Sequence, residues 1–359
     1  MGRQSSRILI NGQDAKQVIA CETTGIAYDI NQIWMCDKEK ALSLAWEKLQ
    51  KTISFIIEYI SGIEVGEFLA FGNDMFLSYY GGTFYKTING KGFELLSAKI
   101  GNANVYLNSL IFGNNFFVGA GRLSDNSKEG YFYSDDGENW NVISDVYVDG
   151  VLLSSYPAQI QYVNGKYFIE YYSTTDYFTY LCMGTSLSNF TKVFSLENMS
   201  YYGSIAYAFG YYWFPAWYDG GYKLVKTDFN TVDYFELIDA YKISVVNDVL
   251  FIHGYNNGVI TYSTDGINFN KFYANIYGLN ETSGSGKITD ISYFNDVYVI
   301  VNHLGSFLYF YTLEDLNNIE SGKLETTYSV SNRKYSTMEQ GNEIILKLSY
   351  NNTVIRGEK

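Results

Sequence analysis

The sequence predicts an all-β fold: a seven-bladed β-propeller of four-stranded antiparallel blades, preceded by a small N-terminal segment. Three observations carry this expectation. Aromatic residues make up 18% of the chain, with 36 tyrosines, 33 glycines and only 2 prolines. That mixture favours pleated strands joined by tight glycine turns. An apolar strand–turn–strand unit recurs seven times at spacings of 37 to 51 residues, which suits one propeller blade per repeat. An eight-residue corner, YSDDGENW at 133–140, returns almost unchanged as YSTDGINF at 262–269.

The elements follow in order. Residues 1–50 lie outside the repeat and form the first expected unit; residues 51–359 form the second, the propeller. Leu42, Ala45, Trp46 and Leu49 have helical spacing, but a strand ending at Trp46 fits residues 38–50 as well. The turns of the repeat fall near Gly72, Gly113, Asn164, Gly210, Asn247, Asn295 and Gly341. Six of the seven copies continue into a second hairpin, so each reads as strand, tight turn, strand, loop, strand, tight turn, strand. The seventh copy has room for only three strands before Lys359. The lone apolar stretch TISFIIEYI (52–60) is therefore expected to close the ring, with residues 53–59 as the outer strand of the last blade. Closure of this kind removes exposed strand edges.

In the duplicated corner, Asp136 and Asp265 are placed to accept backbone N–H groups of the turn. Gly137 and Gly266 supply the positive φ, and Trp140 and Phe269 are expected to pack between blades. The run Ser134, Asp136, Gly137, Trp140, and its copy Ser263, Asp265, Gly266, Phe269, resembles the Asp-box of sialidase-like propellers, one residue tighter in spacing. The resemblance implies a structural role, because Asp-boxes stabilise turns.

Residues 1–50 carry a second resemblance. Ile10-Asn11-Gly12, Ile33-Trp34, Asp37-Lys38 and Trp46-Glu47-Lys48 look like the small N-terminal attachment region of tail proteins in phages of Gram-positive bacteria. By implication this segment docks onto other tail or baseplate proteins, in several copies per particle, and the propeller is displayed outward. A generic capping subdomain is the plainer alternative.

Composition narrows the chemistry. The net charge is −13 and no basic stripe is visible, which argues against a nucleic-acid partner. No apolar run reaches the roughly 18 residues of a membrane span, and the start has no signal-peptide core. Synthesis in a host cytoplasm, assembly into a phage or phage-tail-like particle and extracellular display are the expected route. Cys21, Cys36 and Cys182 lack metal-like spacing, no cofactor motif occurs, and no metal is expected. A disulfide between Cys21 and Cys36 stays open. The sialidase resemblance would require an arginine cluster; Arg122, Arg333 and Arg356 are the arginines available for it after Arg7. His253 and His303 are the only histidines, and each reads as a packed or rim residue. No catalytic residue is assigned, although a pair of carboxylates meeting from distant blades would suit a glycosidase.

Binding is the expected activity. The tight turns share one face, and the long connections share the other, where recognition on a rigid scaffold usually resides. Those connections are expected at 97–108, 122–130, 144–158, 195–203, 273–288 and 320–334, and they are rich in tyrosine. The richest stretch is GYYWFPAWYDGGYK (210–223), in which Pro215 marks a bulge or edge and Gly220-Gly221 closes a hairpin. The expected ligand contacts are Trp217, Tyr218, Asp219, Tyr201, Tyr202, Arg122, Tyr273 and Tyr277, and the expected ligand is a bacterial surface glycan or protein. Packing between blades is the competing role for Trp217 and Tyr218. Two alternatives to recognition remain: a purely structural baseplate component, and a glycan-cleaving enzyme.

Overall fold

The structure is a computed structural model. It describes the strands at 9–10, 13–14, 18–21, 25–28 and 54–59, and then 68–153, 159–196, 199–201, 204–218, 220–237, 240, 242–254, 259–273, 288–302, 307–310, 312–313, 323–325, 335–341, 344–349 and 353–358. The described residues form strands and turns, with no α-helix among them. Residues 29–53 lie outside them, so the helix-or-strand alternative for 38–50 and the Cys21–Cys36 pairing do too.

Among the described residues, seven sheets of four or more strands follow one another in the chain, besides two short hairpins, Leu9–Ile10 with Gln13–Asp14 and Val18–Cys21 with Gly25–Tyr28. The first sheet runs Phe68–Gly72, Met75–Tyr80, Thr83–Thr87, Glu94–Leu96 as an antiparallel meander. The fifth begins at Lys242–Val246 and the sixth at Ile288–Phe294, with the same order. The seventh holds Tyr335–Gly341, Ile344–Ser349 and Thr353–Glu358, and its fourth strand is Ser54–Tyr59, paired antiparallel along the whole of Thr353–Glu358.

Three sheets depart from the plain meander. In the second, Ala103–Leu107 and Ile111–Gly113 both pair with Phe116–Leu123, so the innermost strand is split in two. In the fourth, Met199–Tyr201 and Ala206–Ala208 share Tyr211–Tyr218 in the same way. In the third, a small hairpin of Tyr147–Val148 and Val151–Leu152 is added to the outer edge through a parallel pairing with Asn189–Ser195. Parts of the expected long loops at 97–108, 144–158 and 195–203 are thus strand, and the 122–130 loop shrinks to 124–128. The reason is local: Ala103–Leu107 alternates buried and exposed side chains, as an edge strand does.

The tight turns after the innermost strands share one geometry. Asn73-Asp74, Asn114-Asn115, Asn164-Gly165, Phe209-Gly210, Asn247-Asp248 and Asn295-Asp296 all have positive φ at both positions. That is the type I′ hairpin turn, whose twist matches the strands it joins. Gly72, Gly113 and Gly341 precede the turns and do not have positive φ. Their need is space. A Cβ on Gly72 would lie 2.1 Å from the Phe112 ring, one on Gly113 2.3 Å from Tyr162, and one on Gly341 2.1 Å from Phe71. Each aromatic ring comes from the next sheet, and Phe71 belongs to the first sheet while Gly341 belongs to the seventh.

Both faces of the sheets are covered, so strands such as Val249–His253 and Val259–Ser263 are buried at every position. The cores lie between consecutive sheets. Phe84, Val105, Phe117 and Trp140 fill the gap between the first and second; Phe168, Leu181, Tyr212 and Phe214 that between the third and fourth. Trp213, Leu224, Ile243 and Leu250 join the fourth to the fifth. Innermost strands also touch from sheet to sheet, and Tyr335–Gly341 packs on Phe68–Gly72. This is a β-propeller arrangement.

Candidate recognition face

In an antiparallel meander the first and third connections of a sheet emerge at one end, and the second connection and the link to the next sheet at the other. The first end carries the I′ turns and the duplicated corner. In that corner Ser134 Oγ accepts the Gly137 N–H at 2.9 Å and donates to Asp136 Oδ1 at 2.9 Å. Asp136 Oδ1 also accepts the N–H groups of Glu138 (2.8 Å) and Asn139 (2.7 Å), and Oδ2 accepts the Asn139 amide at 2.6 Å. Ser263, Asp265, Gly266, Ile267 and Asn268 repeat these bonds. Gly137 and Gly266 have φ of 74° and 70°.

Burial alone would raise the Asp136 carboxyl. The Asn139 backbone and side chain, the Glu138 N–H and Ser134 outweigh it and hold the group down at about 2. Asp265 is held below the usual carboxylate range, first by the Asn268 N–H and then by Ile267 and the Asn268 side chain. These carboxylates are saturated by the turn. The corners also join sheets: Trp140 is buried with its Nε1–H on the Gly137 carbonyl (2.8 Å), and Phe269 packs into the core between the fourth and fifth sheets. Asn73 Nδ2 reaches from the first sheet to the Asp135 carbonyl at 2.8 Å, and Phe209 reaches from the fourth to Gly266.

The other end is built differently. Trp217 is the penultimate residue of the long strand Tyr211–Tyr218 and is 39% exposed, its ring meeting Tyr222 edge-on at 4.9 Å. Trp213, two pleat repeats deeper, is fully buried, with Nε1–H on the Ala208 carbonyl at 2.9 Å. Tyr218 pairs with Gly221, so the hairpin connection is 219–220 and not Gly220-Gly221. Pro215 pairs with Leu224 without a bulge. Counting from that hairpin, position 215 is a non-hydrogen-bonded pair, so its nitrogen faces the other way, into the gap between Met199–Tyr201 and Ala206–Ala208. Proline marks the split in the innermost strand, where no donor is needed.

Arg122 lies inside Phe116–Leu123, not after it, opposite Tyr106 and Glu129, and is exposed. Tyr106 is partly exposed and its ring covers Gly82 in the connection of the first sheet. Met199–Tyr201 and Asn270–Tyr273 place Tyr201 and Tyr273 at strand ends. The side chains of Tyr201, Tyr218 and Tyr273 lie outside the described residues, as do Tyr202, Asp219 and Tyr277. Of the three arginines, Arg356 is buried in the seventh sheet, Arg122 is exposed on the second, and Arg333 is outside the described residues.

The sequence reading passed over a more exposed set. The six-residue connection 173–178 of the third sheet carries Tyr177, 73% exposed, and Phe178, beside Tyr172 at the strand end. The available signal was an aromatic pair directly after the turn residues Thr174-Thr175-Asp176.

His253 is fully buried, with Nε2 2.8 Å from Ser244 Oγ. Lys242, beside it, bonds the Asp290 carboxylate at 2.7 Å and the Thr289 carbonyl at 2.8 Å, joining the fifth sheet to the sixth. Burial first, and the Lys242 charge second, push His253 down to about 3. The ring therefore stays neutral in the fold and serves packing. His303 lies outside the described residues. Among the described residues no His/Cys/Asp/Glu cluster has the makings of a metal site, and no helix is long and apolar enough to cross a membrane.

The chain matches no protein-family model and no curated protein sequence. It is similar in fold to solved structures. YCF48 bound to D1 peptide aligns with a TM-score of 0.57 at 12% identity, over 85% of this chain and 95% of that one. YCF48 from Cyanidioschyzon merolae gives 0.56 at 12% identity, over 85% and 99%. Raptor from Chaetomium thermophilum gives 0.53 at 9% identity, over 88% of this chain and 30% of that one.

Proposed function

We propose that this chain is a non-enzymatic recognition module of a phage tail, or of a phage-tail-like particle, that binds a surface glycan or protein of a Gram-positive host. In this reading all seven sheets are blades of one closed ring, and Ser54–Tyr59 is the strand that closes it. Residues 1–50 attach the ring to other tail or baseplate proteins, and the duplicated corners are Asp-boxes that brace it.

One observation carries the reading: the two ends of the sheets have different chemistry. One end is a set of near-identical I′ turns and saturated corner carboxylates, and its most exposed large hydrophobic side chains, Ile88 and Ile267, are aliphatic. The other bears exposed aromatics with polar tips, Tyr106, Tyr172, Tyr177 and Trp217. Tyr and Trp there suit sugar rings and peptide side chains alike. The test is adsorption of purified protein to host envelopes. Trp217→Ala with Tyr218→Ala should abolish measurable binding while the far-UV spectrum and melting curve persist. Residues 51–359 alone should still bind envelopes but no longer join particles. Wild-type adsorption by the double variant would instead favour a purely architectural baseplate part.

A further inference from the structure

The connection of the third sheet holds an aromatic residue in a backbone state that it ordinarily avoids. Tyr177 has φ of 64°, the left-handed region that disfavours bulky side chains, and yet it is the most exposed large hydrophobic residue described. No packing recovers that cost, because the ring points into solvent. The conformation is imposed by its neighbours. Ser173 N–H donates to the Phe178 carbonyl at 2.8 Å, and Tyr177 N–H to the Ser173 carbonyl at 2.9 Å. Asp176 Oδ1 accepts the Phe178 N–H at 3.2 Å, and Oδ2 accepts the Tyr180 hydroxyl at 2.7 Å. Lys192 sits 4.2 Å over the Tyr180 ring and 3.8 Å from Asp176. The result is a braced tip with Tyr172, Tyr177 and Phe178 at 56%, 73% and 36% exposure.

We propose that this tip is a recognition finger for a neutral glycan, presented on the same face as Trp217. This deepens the reading above and rests on that face being the ligand face. Three features select the ligand class. The exposed side chains of the tip are three rings, two of them with hydroxyl tips, together with the short polar Thr174, Thr175 and Asp176; the rings offer flat apolar faces to the C–H faces of pyranoses, and the polar groups form a rim for their hydroxyls. The nearby cation, Lys192, is already engaged by Asp176 and the Tyr180 and Tyr171 rings, so it is not available as an anchor for phosphate or carboxylate. The chain's net charge of −13 also opposes anionic polymers. Strain at a solvent-facing aromatic is characteristic of a residue kept for binding and not for stability.

The experiment uses the full chain and Tyr177→Asn. Asparagine accepts the left-handed conformation but removes the ring. Binding is read by calorimetry against chitotetraose, maltotetraose and dextran, with heparin as the anionic control and the envelope adsorption assay alongside. The variant should melt at the wild-type temperature or up to about 2 °C above it. It should bind the neutral oligosaccharide that wild type prefers about tenfold or more weakly. A lower melting temperature would make Tyr177 a packing residue and overturn the proposal. So would undiminished binding by the variant, absence of binding to every neutral sugar, or preference for heparin. Envelope adsorption separates the two readings: if it survives Tyr177→Asn undiminished, the finger is wrong and the recognition face stands; if wild type does not adsorb at all, the face itself is wrong.

Discussion

Replacing Gly341 with alanine puts a methyl group where Phe71 already lies. The added Cβ would be 2.1, 2.2 and 2.3 Å from three atoms of that ring. Carbon atoms in contact ordinarily keep about 3.5–4.0 Å, so the ring must retreat by roughly 1.5 Å. It has little room, since Phe71 also packs on Phe76 with centroids 4.7 Å apart. Overpacking of this kind costs about 1–3 kcal/mol. Stiffening the unfolded chain by Gly→Ala returns about 0.4–1 kcal/mol, and no φ strain is added because Gly341 lies outside the left-handed region. The expected loss is therefore about 1–2 kcal/mol, read as a lower urea midpoint at unchanged slope. Because Gly341 and Phe71 sit on the last and first sheets, the loss measures the contact that closes the ring in the proposed reading. Phe71→Ala makes space for the methyl, so the double variant should lose less than the sum of the singles by about 1 kcal/mol. Gly92→Ala is the control, since nothing lies within 4 Å of a Cβ there. Wild-type stability of Gly341→Ala, or strict additivity with Phe71→Ala, would refute the closure contact.

Three further outcomes are expected. Asp136→Ala should cost about 1–2 kcal/mol, since it strips the acceptor from two N–H groups and an amide, and should leave envelope adsorption intact; loss of adsorption at full stability would mean the ligand face has been misassigned. The same carboxyl, held down at about 2, stabilises the fold fully above its unfolded value near 3.9, and that share should fade as pH falls from about 4 through 2. His253, pushed down to about 3, takes a proton in the unfolded chain from about pH 6.5 downward but not in the fold; stability should thus fall with pH by about 2 kcal/mol at pH 5, and His253→Gln should flatten that slope, whereas an unchanged slope would locate the titration elsewhere. Removing residues 1–60 takes away Ser54–Tyr59 and bares the edge of Thr353–Glu358, so it should aggregate or melt far lower than the 1–50 deletion; equal melting of the two would exclude the strand from the ring.

What could be read from the sequence, and what could not, divides by the range of the interaction. An I′ turn declares itself in two residues, because Asn-Asp, Asn-Gly and Asn-Asn tolerate positive φ, and five such turns, with Phe209-Gly210 as a sixth, lie where the repeat put them. The corner is equally local: Ser134 and Asp136 bond atoms within three residues of themselves. The innermost strands split at 108–110 and 202–205 because the strand beside them is long, which no window around Tyr106 or Tyr201 reveals. The sequence expectation places turns at Gly72, Gly113 and Gly341. They mark the turns only by adjacency; their side chains are absent because a ring from the neighbouring sheet occupies the space. Tyr177 was missed for the opposite reason. Residues that favour left-handed backbone can be read as turns, but a tyrosine held there by Ser173 and Asp176 does not report its backbone state; the turn residues Thr174-Thr175-Asp176 before it are the only local signal. Local rules therefore recover the braced face of the sheets well and the aromatic face poorly. If that face presents rings to a ligand, as proposed, it places Tyr177 where local backbone preference would not.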